Sequence, residues 1–256
     1  MFFSIYKKDM KELILQQLDC FNDTEFKFDP KFHKYTYHGE QFISVTKFIQ
    51  KFHKPFETDF WSKKKAEQAG VSQEEILNDW KKLNDYANEV GTDTHQWIED
   101  YFNQIWNPIP SNLDLIHRIN KFNKVFAKHL HRLEPVKFEV RVFSKKWKIA
   151  GMIDSLFFYK GKIFILDWKT NKQFTFDDHE KGRYEKLLEP FDDHWKNHLN
   201  EYSIQLSLYA LILEEWGFEV GGAYLVHIGP GDEEAELFKV VDMRDKLKIA
   251  LESENV

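Results

Sequence analysis

The chain has almost nothing with which to cross-link itself. Cys20 is the sole cysteine among 256 residues, which excludes an intrachain disulfide and is compatible with a reducing compartment. The same scarcity excludes an iron–sulfur cluster held by this chain alone, which needs about four thiolates. Long apolar runs are lacking too: none approaches the ~20 residues of a membrane-spanning helix. A secretory leader is not visible, because Lys7, Lys8 and Asp9 follow Met1-Phe2-Phe3-Ser4 instead of preceding an apolar stretch. Acidic residues appear too early for an organelle transit peptide. These features read as a cytoplasmic protein with no membrane partner. Basic excess is also missing, since 36 Lys and Arg face 42 Asp and Glu for a net charge of −6. On average such a chain repels phosphates. A local basic groove can still coexist with an acidic remainder, and lysines do cluster at 63–65 and at 145, 146 and 148.

Apolar and aromatic residues are plentiful, at 42% and 16%, enough for a sizeable core. The length suits one large domain or two small ones, and neither repeats nor a linker divide it. One domain over 1–256 is expected, with a mainly helical wrap over 1–134 and an α/β core over 135–242. Residues 5–20 read as a helix with Ile5, Leu13, Ile14 and Leu18 as apolar positions. Phe26–Tyr37 alternates around Asp29-Pro30 and predicts a hairpin. Either hydroxyl of Ser44-Val45-Thr46 can cap the short helix that follows. Further helices are expected over 58–70, 72–104 and 112–132, the last carrying Leu113, Ile116, Ile119, Phe122, Val125 and Phe126 at helical spacing.

The pattern changes at Pro135. Val136, Phe138, Val140 and Val142 recur at period two, predicting a strand with those four on one face. Ile149–Tyr159 and Ile163–Trp168 follow across the Lys160-Gly161 turn, so an antiparallel meander is expected. A long polar segment from Asn171 to about Asn200 reads as either a functional flap or a partly ordered stretch. Ser203–Trp216 reads as an amphipathic helix, followed by strands at Val220–His227 and Glu236–Val241.

The meander carries the candidate chemistry. Gly151-Met152-Ile153-Asp154 lies on one strand and Asp167-Trp168-Lys169 ends the next. Asp167 and Lys169, two apart, point to one face, and a neighbouring antiparallel strand can bring Asp154 beside them. Two carboxylates in a partly desolvated place repel unless compensated. A divalent cation compensates them, and hard oxygens suit Mg²⁺ or Mn²⁺. A lysine beside bound water can orient it or take its proton. The tripeptide alone says little, because Asp79-Trp80-Lys81 repeats it in a polar helical stretch.

Residues 151–172 resemble the core of the PD-(D/E)XK nuclease superfamily, and the Asp-Trp-Lys-Thr form resembles its RecB-like exonuclease branch, including phage exonucleases and the mitochondrial genome maintenance exonuclease. Three other pieces are similar to that branch. They are Gly91-Thr92-Asp93-Thr94-His95 with Glu99, Gln205-Leu206-Ser207-Leu208-Tyr209, and the hairpin running into Ser44-Val45-Thr46. The resemblance implies a restriction-endonuclease-like α/β fold, a central mixed sheet flanked by helices, with a helical N-terminal half. It implies a DNA exonuclease using one or two Mg²⁺ or Mn²⁺ on single-stranded DNA or DNA ends, in a bacterial or phage-infected cell, with roles in repair, replication or recombination. The rivals are a structure-specific endonuclease, a double-strand exonuclease, and a non-catalytic nucleic-acid-binding module. By resemblance Asp154, Asp167 and Lys169 are catalytic, and metal is held by His95, Asp154, Asp167 and the Trp168 carbonyl. Gln205 and Tyr209 line the site in that reading, or form an ordinary polar helix edge. Glu139 is either an acidic member of the site or a solvent-facing strand residue. Ser44, Thr46 and Thr170 could contact nucleic acid, the first two equally well being caps. Trp61, Phe174 and Trp195 could stack on unpaired bases.

Overall fold

The computed structural model describes residues 2–176, 185–231 and 234–253, with side chains from Met10 onward. Helix α1 (Phe2–Leu18) buries Ile14 and Leu18 and leaves Leu13 exposed. Residues four apart share a helix stripe, and Leu13 lies off the one through 14 and 18, which corrects the expected set; the Ile5 side chain lies outside the described residues. The hairpin β1 (Phe26–Asp29) and β2 (Lys34–Tyr37) forms as expected. The Asp29 carboxylate closes its turn by accepting from the Lys31 and Phe32 N–H groups. A third strand, β3 (Glu40–Ser44), extends it antiparallel, so the front half contributes three strands where two were expected. Ser44 then caps α2 (Val45–Ile49), its hydroxyl accepting from Lys47 N–H at 3.2 Å.

Helices α3 (Thr58–Ala69) and α4 (Gln73–Phe102) follow. A capping box of Ser72 and Glu75 starts α4, and its first buried residue is Val90. Helix α5 (Leu113–Val125) widens into a π turn at Phe126–Leu130. Its stripe differs from expectation: Leu113 is exposed, whereas Arg118 and Lys121 are buried beside Leu115, Phe122 and Val125.

The core strands are β4 (Glu134–Ser144), β5 (Ile149–Tyr159) and β6 (Lys162–Lys169), an antiparallel meander as the alternation required. Helix α6 (His198–Glu215) then crosses over to β7 (Val220–His227), which pairs parallel with β6. Strand β8 (Glu236–Lys239) adds antiparallel, ending before the expected Val241, and α7 (Arg244–Ser253) closes the described chain. The result is one mixed sheet between two apolar layers. One layer holds α1, α2, α6 and α7 with residues such as Ile165 and Leu225, and the other holds α4 and α5 with Leu166, Trp168 and Val226.

Two expectations about faces fail for identifiable reasons. Helix α6 is not amphipathic, being buried on nearly every side from Ser203 to Leu213, because the sheet, α2 and α7 all pack against it. In β4, Val136, Val140 and Val142 join the α6 side while Phe138 joins the α4 side. A register irregularity between Pro135 and Lys137, and a left-handed backbone at Glu139 (φ 47°), break the alternation.

The edges of β5 place the site. Strand β4 occupies one edge along its length, from Glu134–Phe158 to Ser144–Ile149. Strands β3 and β6 therefore share the other edge. β3 pairs parallel at Ile149 and Ala150, and β6 pairs antiparallel from Ser155 onward. Gly151–Asp154 lie in the fork between them. Of the expected flap, 177–184 falls outside the described residues, and Lys186 and Trp195 bridge within the rest.

Candidate metal and catalytic site

Strand β6 alternates cleanly, so Leu166 and Trp168 enter the α4 layer while Asp167 and Lys169 share the α6 side with Ile165. Lys169 Nζ pairs with Asp167 Oδ2 at 2.7 Å, and its ammonium lies 4.2 Å from the Tyr202 ring centroid on α6. Asp154, at the mouth of the fork, uses Oδ2 to accept the Trp168 N–H at 2.9 Å. A side-chain carboxylate thus takes up a β6 donor where the β5–β6 ladder has ended, leaving a charged oxygen at the strand ends.

From the other side α4 delivers His95. Its Nε2–H donates to the Trp168 carbonyl at 2.8 Å, which turns Nδ1 toward Asp154 Oδ2 at 3.6 Å and Glu139 Oε1 at 3.9 Å. Glu139 reaches it through its left-handed backbone. Consecutive strand residues normally point to opposite faces, yet Phe138 stacks on Phe102 of α4 at 4.8 Å while Glu139 approaches His95 of the same helix. A non-glycine residue in that conformation costs ~1–3 kcal/mol and persists only where its surroundings hold it. Gly91, one turn before His95, has no room for a side chain: a Cβ there would meet Thr170 Oγ1 at 2.9 Å. Helix α4 can therefore lie against the strand end that carries Lys169.

One ligand atom from each of His95, Glu139 and Asp154 lies within 4.8 Å of the others. Ligand atoms around one octahedral cation are ~3–4 Å apart, so the three can close on a single divalent ion with little movement. The electrostatics ask for positive charge. Burial alone would lower the His95 pKa, but the carboxylates of Asp154, Glu139 and Asp167 outweigh it and raise it to about 9. Burial and the neighbouring Asp154 push the Asp167 carboxyl up to about 6 despite the Lys169 ammonium. Lys169 is likewise opposed by burial but held charged by Asp167 and Asp154. A nitrogen and two carboxylate oxygens that otherwise recruit a proton are a fitting donor set for a hard divalent cation.

The remaining candidates fall into place around this centre. Gln205 sits beside the Tyr209 hydroxyl, and Tyr209 is buried with its ring end in the fork. A Cβ at Gly151 would meet Tyr209 Cε1 at 2.7 Å and its oxygen at 2.8 Å. Ser44 is buried as a cap, Thr46 is exposed, and Thr170 lends its carbonyl to Arg118 Nη1 at 2.7 Å. Asp79 and Lys81 are exposed on α4.

The profile of the PD-(D/E)XK nuclease superfamily matches residues 50–254. The chain belongs to this superfamily. No curated protein matches the chain. Among solved structures, the crystal structure of SSO0001 is similar at 13% identity and a TM-score of 0.34, covering 100% of this chain and 86% of that one. Membership of the superfamily supports a hydrolytic nuclease that uses a divalent metal and a nucleic-acid substrate. Among the described residues no helix is long and apolar enough to cross a membrane.

In this PD-(D/E)XK chain three residues near the site were not anticipated from sequence. Tyr202 supports Lys169, and its signal was available, because Tyr202, Gln205 and Tyr209 recur at helical spacing. Arg118 and Lys121 donate to the carbonyls of Thr170, Ile228 and Gly229, fastening the ends of β6 and β7 to α5. Their signal was two basic residues inside an apolar stripe, which ordinarily marks a buried charge with a partner.

Proposed function

We propose that the protein is a metal-dependent DNA exonuclease acting on single-stranded DNA or DNA ends, with one nuclease domain spanning the chain. The observation that carries this reading is the convergence of His95, Glu139 and Asp154 beside the Asp167–Lys169 pair, in a member of a nuclease superfamily. His95 Nδ1 and the carboxylates of Asp154 and Glu139 would hold the metal, and Asp167 would complete the site from the α6 side. The Trp168 carbonyl orients His95; a carbonyl has two lone pairs, so the same oxygen would also serve as a backbone ligand to the metal.

A bound Mg²⁺ or Mn²⁺ supplies Lewis-acid activation of phosphate and a lowered pKa for water. The chain's own groups do the rest. Lys169, kept protonated by Asp167 and Asp154, orients the attacking water and offsets charge growing on the phosphate. Tyr202 stacks beneath that ammonium and limits its freedom. The Nε2–H of His95, tied to Trp168, keeps its ring turned toward the carboxylates. Arg118 and Lys121 hold the strand ends that carry Lys169.

The test is cleavage of labelled linear and circular single-stranded DNA with Mg²⁺ or Mn²⁺, beside Lys169→Ala. Metal-dependent degradation of linear DNA that spares circles, and is lost in the variant, is the expected result. Cutting of circles would make the enzyme an endonuclease. No metal-dependent cutting, or a Lys169→Ala protein as active as wild type, sinks the proposal.

A further inference from the structure

Beyond Lys169 the chain opens into a cleft of about 920 Å³, near the top of the ~300–1,000 Å³ range of ligand pockets. One wall of it is aromatic, and a run of ring contacts ties that wall to the site. Tyr202 carries the Lys169 ammonium. Phe174 stacks on Tyr202 at 6.1 Å and 25°. The same ring stacks on His227 at 4.9 Å and 28°, and on Phe238 at 4.7 Å and 25°. His227 is the cross-strand neighbour of Lys169, and its Nε2–H donates to the Asn171 carbonyl at 2.8 Å, so the wall is pinned to the strand end. Phe176 leans on Phe238 at 5.1 Å and is 44% exposed, leaving one ring facing open space at the far end.

Charge on the rim is divided. Lys128 and His129, from the π turn, and Lys172, after β6, line the cleft, as do Glu234 and Glu236 on the β8 side. Among the described residues no carboxylate pairs with Lys128, His129 or Lys172. An apolar ligand would gain nothing from the ammonium groups of Lys128 and Lys172, and a simple anion would gain nothing from a stack of rings. A polymer that alternates flat rings with phosphates uses both.

We propose that this cleft receives unpaired bases of single-stranded DNA next to the phosphate being cut, with Phe176 as stacking platform and Lys172 and Lys128 on the backbone. The inference rests on the nuclease reading and names the substrate form that the site takes. A duplex covers every internal base face with its neighbour and leaves only the outer face of its terminal pair, too wide to enter as a single ring. Each unpaired base of a single strand can turn a face to Phe176, so the cleft favours single strands.

The experiment measures fluorescence anisotropy of labelled single-stranded and blunt duplex DNA with the full chain, metal withheld by chelator. Phe176→Ala should weaken single-strand binding roughly 5- to 150-fold, the range for loss of one base–aromatic stack, and change duplex binding much less. Phe176→Trp should bind like wild type, which guards against a folding defect. Lys172→Gln should lower the slope of log affinity against log salt by about 0.7. Unchanged single-strand binding in Phe176→Ala, or equal loss on both DNAs, overturns the proposal. If wild type cleaves DNA with metal while Phe176→Ala binds and cleaves normally, only the cleft is wrong. If wild type neither binds nor cleaves DNA, the nuclease reading falls with it.

Discussion

Asp154 has two roles that substitution can separate. Its Oδ2 accepts the Trp168 N–H at 2.9 Å, and its charge faces His95, Glu139 and Asp167. Asp154→Asn keeps an oxygen for Trp168 and removes the charge. Asp154→Ala removes both and leaves a part-buried N–H without a partner, which costs ~1–3 kcal/mol. In a chain of this size 1 kcal/mol moves Tm by ~2–4 °C, so the alanine variant should melt about 2–12 °C below the asparagine variant. The asparagine variant should melt near wild type, because relief of repulsion with Glu139 and Asp167 offsets both the weaker bond to Trp168 and the lost attraction to His95 and Lys169. Metal binding should respond differently. Two unit charges ~4 Å apart interact by ~4 kcal/mol at an effective dielectric constant of 20, and a divalent ion doubles the stake. Even if desolvation cancels most of that, both variants should lose at least ~100-fold in Mn²⁺ affinity. Differential scanning fluorimetry without metal gives the first comparison and titration calorimetry with Mn²⁺ the second. Equal melting of the two variants would refute the bond to Trp168 as the element closing the fork. Wild-type Mn²⁺ affinity in the asparagine variant would refute Asp154 as a ligand.

Other outcomes follow from the same geometry. Lys169→Met strands Asp167, which is 2% exposed. In metal-free protein the Asp167 carboxyl titrates near 6 against an ordinary 3.8, so its proton favours the fold below pH ~4 and this support fades as pH rises through 6. Without the ammonium the folded pKa climbs further, so metal-free Lys169→Met should melt higher at pH 5 than at pH 8, by a wider margin than wild type. Gly151→Ala drives a methyl into Tyr209 and Val45 and should cost ~1–3 kcal/mol, with activity falling as Tyr209 is displaced; an unchanged melting temperature would mean the fork is looser than described. Burial raises the Cys20 thiol to about 11 from 9.0. Alkylation by iodoacetamide at pH 8 should then run about 100-fold slower than in unfolded chain, since the thiolate is the reactive form.

Much of this arrangement is written locally in the chain. Period-two apolar residues in β4–β6 can bury only as strands, and the two-residue spacing of Asp167 and Lys169 forces them to one face. The capped start of α4 and the hairpin turn at Asp29 are equally local. What escaped reading depends on distant neighbours. No local rule announces that Glu139 turns left-handed, because the strain is tolerated only with α4 packed against it. The fork in the β5 edge needs β3, some hundred residues earlier in the chain, to claim Ile149 and Ala150. Helix α6 looks one-sided until α2 and α7 cover its second side. Arg118 and Lys121 look like surface residues until β6 and β7 present their last carbonyls.

Helix α4 is a lever with unequal arms. At 1.5 Å per residue its 30 residues span ~45 Å. Val90, its first buried residue, acts as the fulcrum, and Tyr86 braces it from just outside through its hydroxyl bond to Asp114 at 2.7 Å. The outer arm to Gln73 is ~25 Å, and the inner arm to His95 only ~7 Å. A push that displaces the tip by ~2 Å therefore moves His95 by ~0.6 Å, since displacement scales with arm length on a rigid helix. The outer arm can be jostled by whatever passes along it while the imidazole stays within coordinating distance of Asp154 and Glu139.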